Sequence, residues 1–141
     1  TALDAIVNSK STTAEHVGVQ LRAIITTPLS DISPEDITII LGNALDNAIR
    51  AAKDSTGKTV DLHIQPQGAY YSIVIANDIA HSVLTNNPSL STTKAKRSQH
   101  GFGIKNMRQA VERNQGMIQF LEQDHRFECD ILLLNMQSRN E

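Results

Sequence analysis

Apolar positions along this chain fall into short periodic runs, most of which carry their own stop signals. Residues from Leu3 to about His16 can form a helix, with Gly18 just beyond as its stop. Val19, Leu21, Ala23 and Ile25 alternate as in a half-buried strand, closed by Thr26-Thr27-Pro28. Ser33-Pro34-Glu35-Asp36 is a helix start: a serine cap, proline at the first helical position, and acids against the positive end of the helix dipole. That helix runs to about Lys53 and ends over Asp54-Ser55-Thr56-Gly57. The period returns to two at Val60, Leu62 and Ile64, and again at Tyr71, Ile73, Ile75 and Asn77, with Pro66-Gln67-Gly68 turning the chain between them into a hairpin.

From Ile79 to His100 there is no periodicity. A compact domain keeps so long a loop mainly as a lid or a binding segment. Ile104, Met107 and Val111 mark another helix, stopped near Gly116, and Met117 to Glu122 with Phe127 to Leu134 form a second hairpin around Asp124-His125-Arg126. The order is helix, strand, helix, two strands, lid, helix, two strands. It predicts a two-layer α/β (α+β) sandwich: a mixed, mostly antiparallel sheet of about five strands with about three helices on one face. Residues 1–141 read as one domain with a lid at about 79–100, and no internal repeat is visible.

Composition narrows this little. The 141 residues, 40% hydrophobic and 20% charged, suit a single soluble globular domain, and a net charge of −2 selects no partner. No apolar run approaches 18 residues and no signal peptide is visible. The chain opens mid-pattern at Thr1-Ala2-Leu3, as a domain cut from something longer would. The single cysteine, Cys129, allows no internal disulfide, which fits a reducing compartment; it alternates with apolar residues in a strand and reads as a buried, inert thiol. His16, His63, His81 and His125 lack zinc-site spacing, and no serine or cysteine nucleophile, Walker loop or protein-kinase glycine loop is present.

Three features could carry chemistry. At about 100° per residue, Ile37, Ile40, Leu41, Ala44, Leu45, Ala48 and Ala52 form one apolar face, and Asn43, Asn47 and Arg50 cluster along one edge of it. Two amides and a guanidinium beside a buried face can hold a metal and a phosphate; alone, they read more simply as the surface of an ordinary amphipathic helix. The second feature is His100-Gly101-Phe102-Gly103 at a helix start, where glycines allow close backbone approach and free amides favour an anion. Between Asp78 and Glu112 there is no acid, but there are Lys94, Lys96, Arg97, Lys105 and Arg108. The chain's 15 acids in 141 residues would place about three or four in such a stretch. An acid-free basic lid beside glycines points to a polyanion such as a nucleoside triphosphate; a solvated loop is the plain alternative, and nucleic acid is disfavoured because the lid has no aromatic for base stacking. The third feature is Asn77, a polar side chain ending the apolar row of Ile73 and Ile75, where a side-chain carbonyl could accept the exocyclic amine of adenine; alone it reads as a turn residue.

In this order the features resemble the ATP-binding catalytic domain of sensor histidine kinases, in the GHKL superfamily, with its Bergerat-type fold. Leu41-Gly42-Asn43-Ala44-Leu45-Asp46-Asn47-Ala48-Ile49-Arg50 is similar to the N box, Asn77 sits where the first glycine box begins, and His100-Gly101-Phe102-Gly103 is similar to the second. The run Leu90-Ser91-Thr92-Thr93-Lys94, and residues 3–10 followed by Val17-Gly18-Val19, most resemble the peptide quorum-sensing receptor kinases. The resemblance covers nearly the whole chain. It implies ATP and Mg²⁺ as cofactors, with Asn47 ligating the metal, Asn43 close by, and Arg50 facing the phosphates. Asn77 would read adenine, Lys94 and the backbone of Gly101 and Gly103 would embrace the phosphate tail, and His100 and Phe102 would be further cofactor-binding positions. It further implies a cytoplasmic domain of a membrane-anchored, homodimeric receptor, donating phosphate to a histidine on a dimerisation domain outside this chain and thence to a response regulator.

Two departures bear on activity. In ATP-hydrolysing relatives a glutamate four residues before the metal asparagine activates water; here that position is Asn43, which is no general base at neutral pH. That favours a kinase over an ATPase or an anti-sigma-type serine kinase. The first glycine box reads Asn77-Asp78-Ile79-Ala80 where the family has an aspartate and glycines. This leaves Asp78 as an alternative adenine reader, and a nucleotide-free interaction module as an alternative function.

Overall fold

The computed structural model describes residues 1–86 and 99–136. Helix α1 (Ala2–His16) starts on Thr1, whose hydroxyl accepts the Asp4 amide at 3.1 Å. It ends as Gly18 takes φ +77° and lets the Val19 amide reach back to the Ala14 carbonyl at 2.9 Å. Strand β1 (Gln20–Ile25) follows, and then α2 (Pro34–Lys53), capped by Ser33, whose hydroxyl accepts the Asp36 amide at 3.1 Å. All seven residues of the expected apolar face of α2 are buried, and Ile49 extends that face.

Strands β2 (Thr59–Gln67) and β3 (Tyr70–Asp78), helices α3 (Val83–Asn86) and α4 (Gln99–Arg113), and strands β4 (Met117–Gln123) and β5 (Arg126–Leu134) complete the chain. The five strands make one sheet in the order β1-β2-β3-β5-β4, with β1 parallel to β2 and every other pair antiparallel. The mixed sheet under a layer of helices is therefore as the sequence pattern predicts. The core lies between them: Ile40, Leu41 and Leu45 of α2 meet Leu62, Ile64, Ile73, Ile75, Ile131 and Leu133 of the sheet, all at most 1% exposed. Each such side chain stabilises the fold by about 1.5–3 kcal/mol.

Polar ties lock the helices to one another. Arg113 Nη2 and Asn114 Nδ2 bond the two oxygens of Asp36 at 2.7 and 2.9 Å, joining the end of α4 to the first turn of α2. Lys10 of α1 pairs with Asp46 of α2 at 2.8 Å.

Two details differ from the sequence reading, and a third refines it. Pro66 is not in the turn but in β2, opposite Tyr71; β1 pairs with β2 only as far as Ile64, so the missing N–H breaks no bond to β1, and Gly68 (φ +62°) turns the chain instead. Helix α3 lies inside the segment read as aperiodic, being too short to show a helical period. Helix α4 does stop near Gly116, at Arg113, but the left-handed residue is Gln115 (φ 54°) and not the glycine. Gly116 is needed for proximity, since a Cβ there would stand 2.0 Å from the Leu132 carbonyl oxygen. Gly116→Ala is therefore expected to destabilise the domain by about 1–3 kcal/mol through forced backbone displacement, read as a lower urea midpoint. Gln115→Gly, which relieves the left-handed residue, should not lower it.

Candidate functional site

A cavity of about 470 Å³ opens between α2, the end of β3, α3, α4 and the β4–β5 hairpin. Helix α2 lines it with Ala44, Ala48 and Ala51, which recur on one helical face and leave room by being small. Ile75 of β3, Val83 of α3, Ile104 and Met107 of α4, and Phe120, Phe127 and Cys129 of the hairpin make the rest of an apolar chamber. Phe120 and Phe127 are stacked, with centroids 5.7 Å apart and planes 21° from parallel. The polar lining is Asn47, Arg50, Asp54 and Asn77. An apolar chamber with a few polar groups at its margins suits a flat, largely apolar ligand with a polar tail.

Asn77 continues the inward row of Tyr71, Ile73 and Ile75 and is 2% exposed. Its Nδ2 donates to the Asp78 carbonyl at 3.1 Å. One N–H of the amide is thus engaged within the protein, and Oδ1 is the acceptor that the side chain can offer a ligand.

Asp78, one residue on, takes the other side of the strand. Its carboxylate accepts the Thr59 amide at 3.0 Å, the Thr59 hydroxyl at 2.6 Å and Arg126 Nη1 at 2.9 Å. Arg126 also bonds Asp61, which holds Arg22 through Nε at 2.7 Å and Nη2 at 2.9 Å. Four strands, β1, β2, β3 and β5, are stitched by this chain of charges. Burial pushes the Asp78 carboxyl up, and the bonds from Thr59 and Arg126 outweigh it, holding the group below the usual carboxylate range. Of the two candidates at the end of β3, Asn77 faces the cavity and Asp78 is part of the sheet.

The polar edge of α2 divides. Asn47 and Arg50 reach the cavity, and Arg50 Nη1 donates to Asn47 Oδ1 at 3.1 Å. Asn43 is not among the lining residues. Its Nδ2 donates to the Ile39 carbonyl at 2.7 Å, and its Oδ1 stands 2.8 Å from where a Cβ on Gly103 would be. Asn43 and Gly103 are thus the seam at which α2 and α4 cross. The backbone of His100, Gly101 and Phe102 forms the first turn of α4, while their side-chain surroundings, Lys94 and most of the expected lid lie outside the described residues.

Sequence reasoning did not find Phe120, Phe127, Met107, Ile104, Val83, Asp54 or Cys129 as cavity residues. Alternation puts both phenylalanines on the inward face, but nothing in it separates a core aromatic from one beside a cavity. Cys129 matches its inert reading: it is 6% exposed, and burial together with the nearby Asp130 pushes its thiol up to about 12.

The GHKL domain family matches residues 32–134, well over half of the chain. The chain belongs to the GHKL family. A comparison with curated protein sequences finds no match. Among solved structures, this GHKL domain is similar to full-length ShkA in complex with AMPPNP, with a TM-score of 0.74 at 14% identity over 95% of this chain and 29% of that one. It is also similar to the mycobacterial sensor histidine kinase MprB, with a TM-score of 0.68 at 14% identity over 94% of this chain and 93% of that one. The catalytic domain of the histidine kinase ThkA, in a nucleotide-free form, gives 0.75 at 11% identity over 95% and 90%. At such identities the likeness is one of fold: this GHKL domain has the architecture of histidine kinase catalytic domains. It spans under a third of the ShkA chain.

Asp78 and Asp36 are both held below the usual carboxylate range, Asp36 chiefly by the Arg113 guanidinium. A lowered carboxylate adds stability above its unfolded value, near 3.9, and that stability is lost as pH falls through the folded value. The urea midpoint of the GHKL domain is accordingly expected to fall on acidification below about pH 4. Asp78→Asn should show a smaller acid-dependent loss than the unaltered chain.

Proposed function

We propose that this GHKL domain is the catalytic domain of a sensor histidine kinase, binding Mg·ATP in the α2–β3–α4 cavity and donating the γ-phosphoryl group to a histidine on a dimerisation domain outside this chain. The observation that carries the reading is the division of the cavity: an apolar chamber with the Asn77 amide at the end of β3, and Asn47 with Arg50 on the α2 side.

The chamber suits the faces of adenine, between the alanines of α2 and Ile75, Met107 and Phe120. Asn77 Oδ1 matches the exocyclic amine, and because its Nδ2 is held by the Asp78 carbonyl, the neutral amide presents the same acceptor that an aspartate would. Arg50 matches phosphate oxygens by charge and geometry.

The donor set also fits the metal. Among the described residues no group of three or more histidine, cysteine or acidic side chains could hold an ion. Mg²⁺ uses few protein ligands and completes its shell with water and phosphate oxygens, so one hard oxygen, Asn47 Oδ1, suits an ion that arrives with its nucleotide. When bound, Mg²⁺ neutralises charge on the phosphates. Asn47 would hold it through the atom that Arg50 now bonds, and Arg50 would turn to the phosphates. At position 43 the side chain is an amide engaged by the Ile39 carbonyl. Asp54, the one acid lining the cavity among the described residues, is at the C-cap of α2, about two turns past Asn47. With no carboxylate one turn before Asn47, water is poorly activated and the γ-phosphoryl is preserved for a protein acceptor.

The run Leu90-Ser91-Thr92-Thr93-Lys94 and the non-glycine first box favour the peptide quorum-sensing receptor kinases as the subgroup. In that setting the intact protein is a membrane-anchored homodimer with this domain in the cytoplasm, and a response regulator takes the phosphoryl group from the histidine. No helix among the described residues is long and apolar enough to cross a membrane.

Calorimetric titration of ATP tests the reading. Binding is expected to strengthen with Mg²⁺ in the unaltered chain, to lose that dependence in Asn47→Ala, and to weaken about tenfold, or 1.4 kcal/mol, in Asn77→Leu with or without the metal. No heat up to millimolar nucleotide would overturn it.

A further inference from the structure

A second polar interruption occurs on the inward face of the sheet. Ile118 and Phe120 point toward the helices, and the next residue in that row of β4 is Glu122, opposite Phe127. An acid in an apolar row needs a reason. Glu122 Oε1 accepts two backbone amides, Val83 and Leu84, each at 2.9 Å, from a segment 39 and 38 residues earlier in the chain. Hydrogen bonds from Leu84 and from the Ser82 hydroxyl hold its carboxyl below the usual range, against burial, with the Val83 amide adding to them.

These bonds connect two parts of the cavity that no strand pairing joins. Glu122 follows Phe120 on β4, and Val83, whose amide it binds, lines the cavity from α3. At four residues, α3 is far below the length at which a helix holds itself together, so its position depends on what grips it. Ionised acceptors make the stronger class of hydrogen bond, and here one oxygen takes two.

We propose that Glu122 is a positioning residue for the nucleotide cavity: its carboxylate clamps Val83 and Leu84 to β4 and so fixes the α3 wall of the cavity that the stacked phenylalanines also line. Its effect on a ligand rests on the nucleotide reading; the clamp itself does not. Holding a wall in place acts on escape from a filled cavity more than on encounter, so the dissociation rate is the sensitive quantity.

The test measures amide hydrogen exchange across the chain together with stopped-flow association and dissociation of Mg·ATP, for Glu122→Ala and Glu122→Gln, with Gln123→Ala as a neighbouring control. In Glu122→Ala, exchange at Val83 and Leu84 is expected to quicken at least about tenfold while β4 and β5 stay protected. ATP dissociation should quicken by about tenfold, with association little changed. Glu122→Gln keeps an acceptor oxygen and should fall between, and Gln123→Ala should match the unaltered chain. Unchanged exchange at the two amides would overturn the proposal. So would quickened exchange with unchanged ATP dissociation, which would make Glu122 a cap on α3 and nothing more. If the unaltered chain binds no ATP, the nucleotide reading fails, and exchange at Val83 and Leu84 alone then decides whether the clamp exists.

Discussion

Helix α2 lies on β2 and β3 while α1 and α4 close on its flanks, so its rotation about its own axis is fixed from three sides. That constraint orients the candidate site. Turning α2 by one residue would carry Asn47 toward the core and bring out a side chain such as Leu45, which is fully buried. Leaving an amide buried and unbonded costs about 1–3 kcal/mol, and the exposed leucine would add its own loss. The apolar face therefore aims the polar edge, and Asn47 and Arg50 need no further support to look into the cavity. The same helix makes the space: where Ala44, Ala48 and Ala51 pass the sheet, the helix has nothing large with which to fill the gap.

The end of β3 solves a related problem by parity. Asn77 and Asp78 are neighbours in sequence and work on opposite sides of one sheet. Inward, the neutral amide can be buried because half of it is bonded to the adjacent backbone. Outward, the carboxylate is balanced by Arg126, which is itself shared with Asp61 and through it with Arg22. Had the charge been on the inner side, it would have faced a chamber whose lining is mostly apolar. The outward network also fixes the backbone whose carbonyl orients Asn77, so the charge serves the site without entering it.

How far the chain could be read depended on whether a feature was local. The face of α2 was legible because seven apolar positions from Ile37 to Ala52 repeat a single period, and its start was legible because Ser33 and Pro34 act within one turn. Hairpin β4–β5 was legible too: Asp124 and His125 both take positive φ, the conformation of a tight two-residue turn. Helix α3 was not, since its four residues are held by an acid nearly forty residues away. Asn43 and Asn47 share an edge on a helical wheel, and only the crossing of α4 at Gly103 separates their fates. The aromatic lining was hidden for the same reason: Phe120 and Phe127 carry the pattern of any inward strand residue, and the void beside them is a property of the elements opposite.

The single parallel strand pair has a consequence for how the chain comes into being. Hairpins β2–β3 and β4–β5 can close as soon as they are made, but β1 finds its partner only after the whole of α2 and the start of β2 exist. Until then Leu21-Arg22-Ala23-Ile24-Ile25 is an unpaired, strongly β-forming stretch, and in the finished sheet Ile24 is still 60% exposed on an edge. Arg22 is the one charge in that stretch. Before it bonds Asp61 it interrupts the stretch as a gatekeeper against pairing with another copy of the chain, so the residue that later stitches the sheet first keeps its strand solitary.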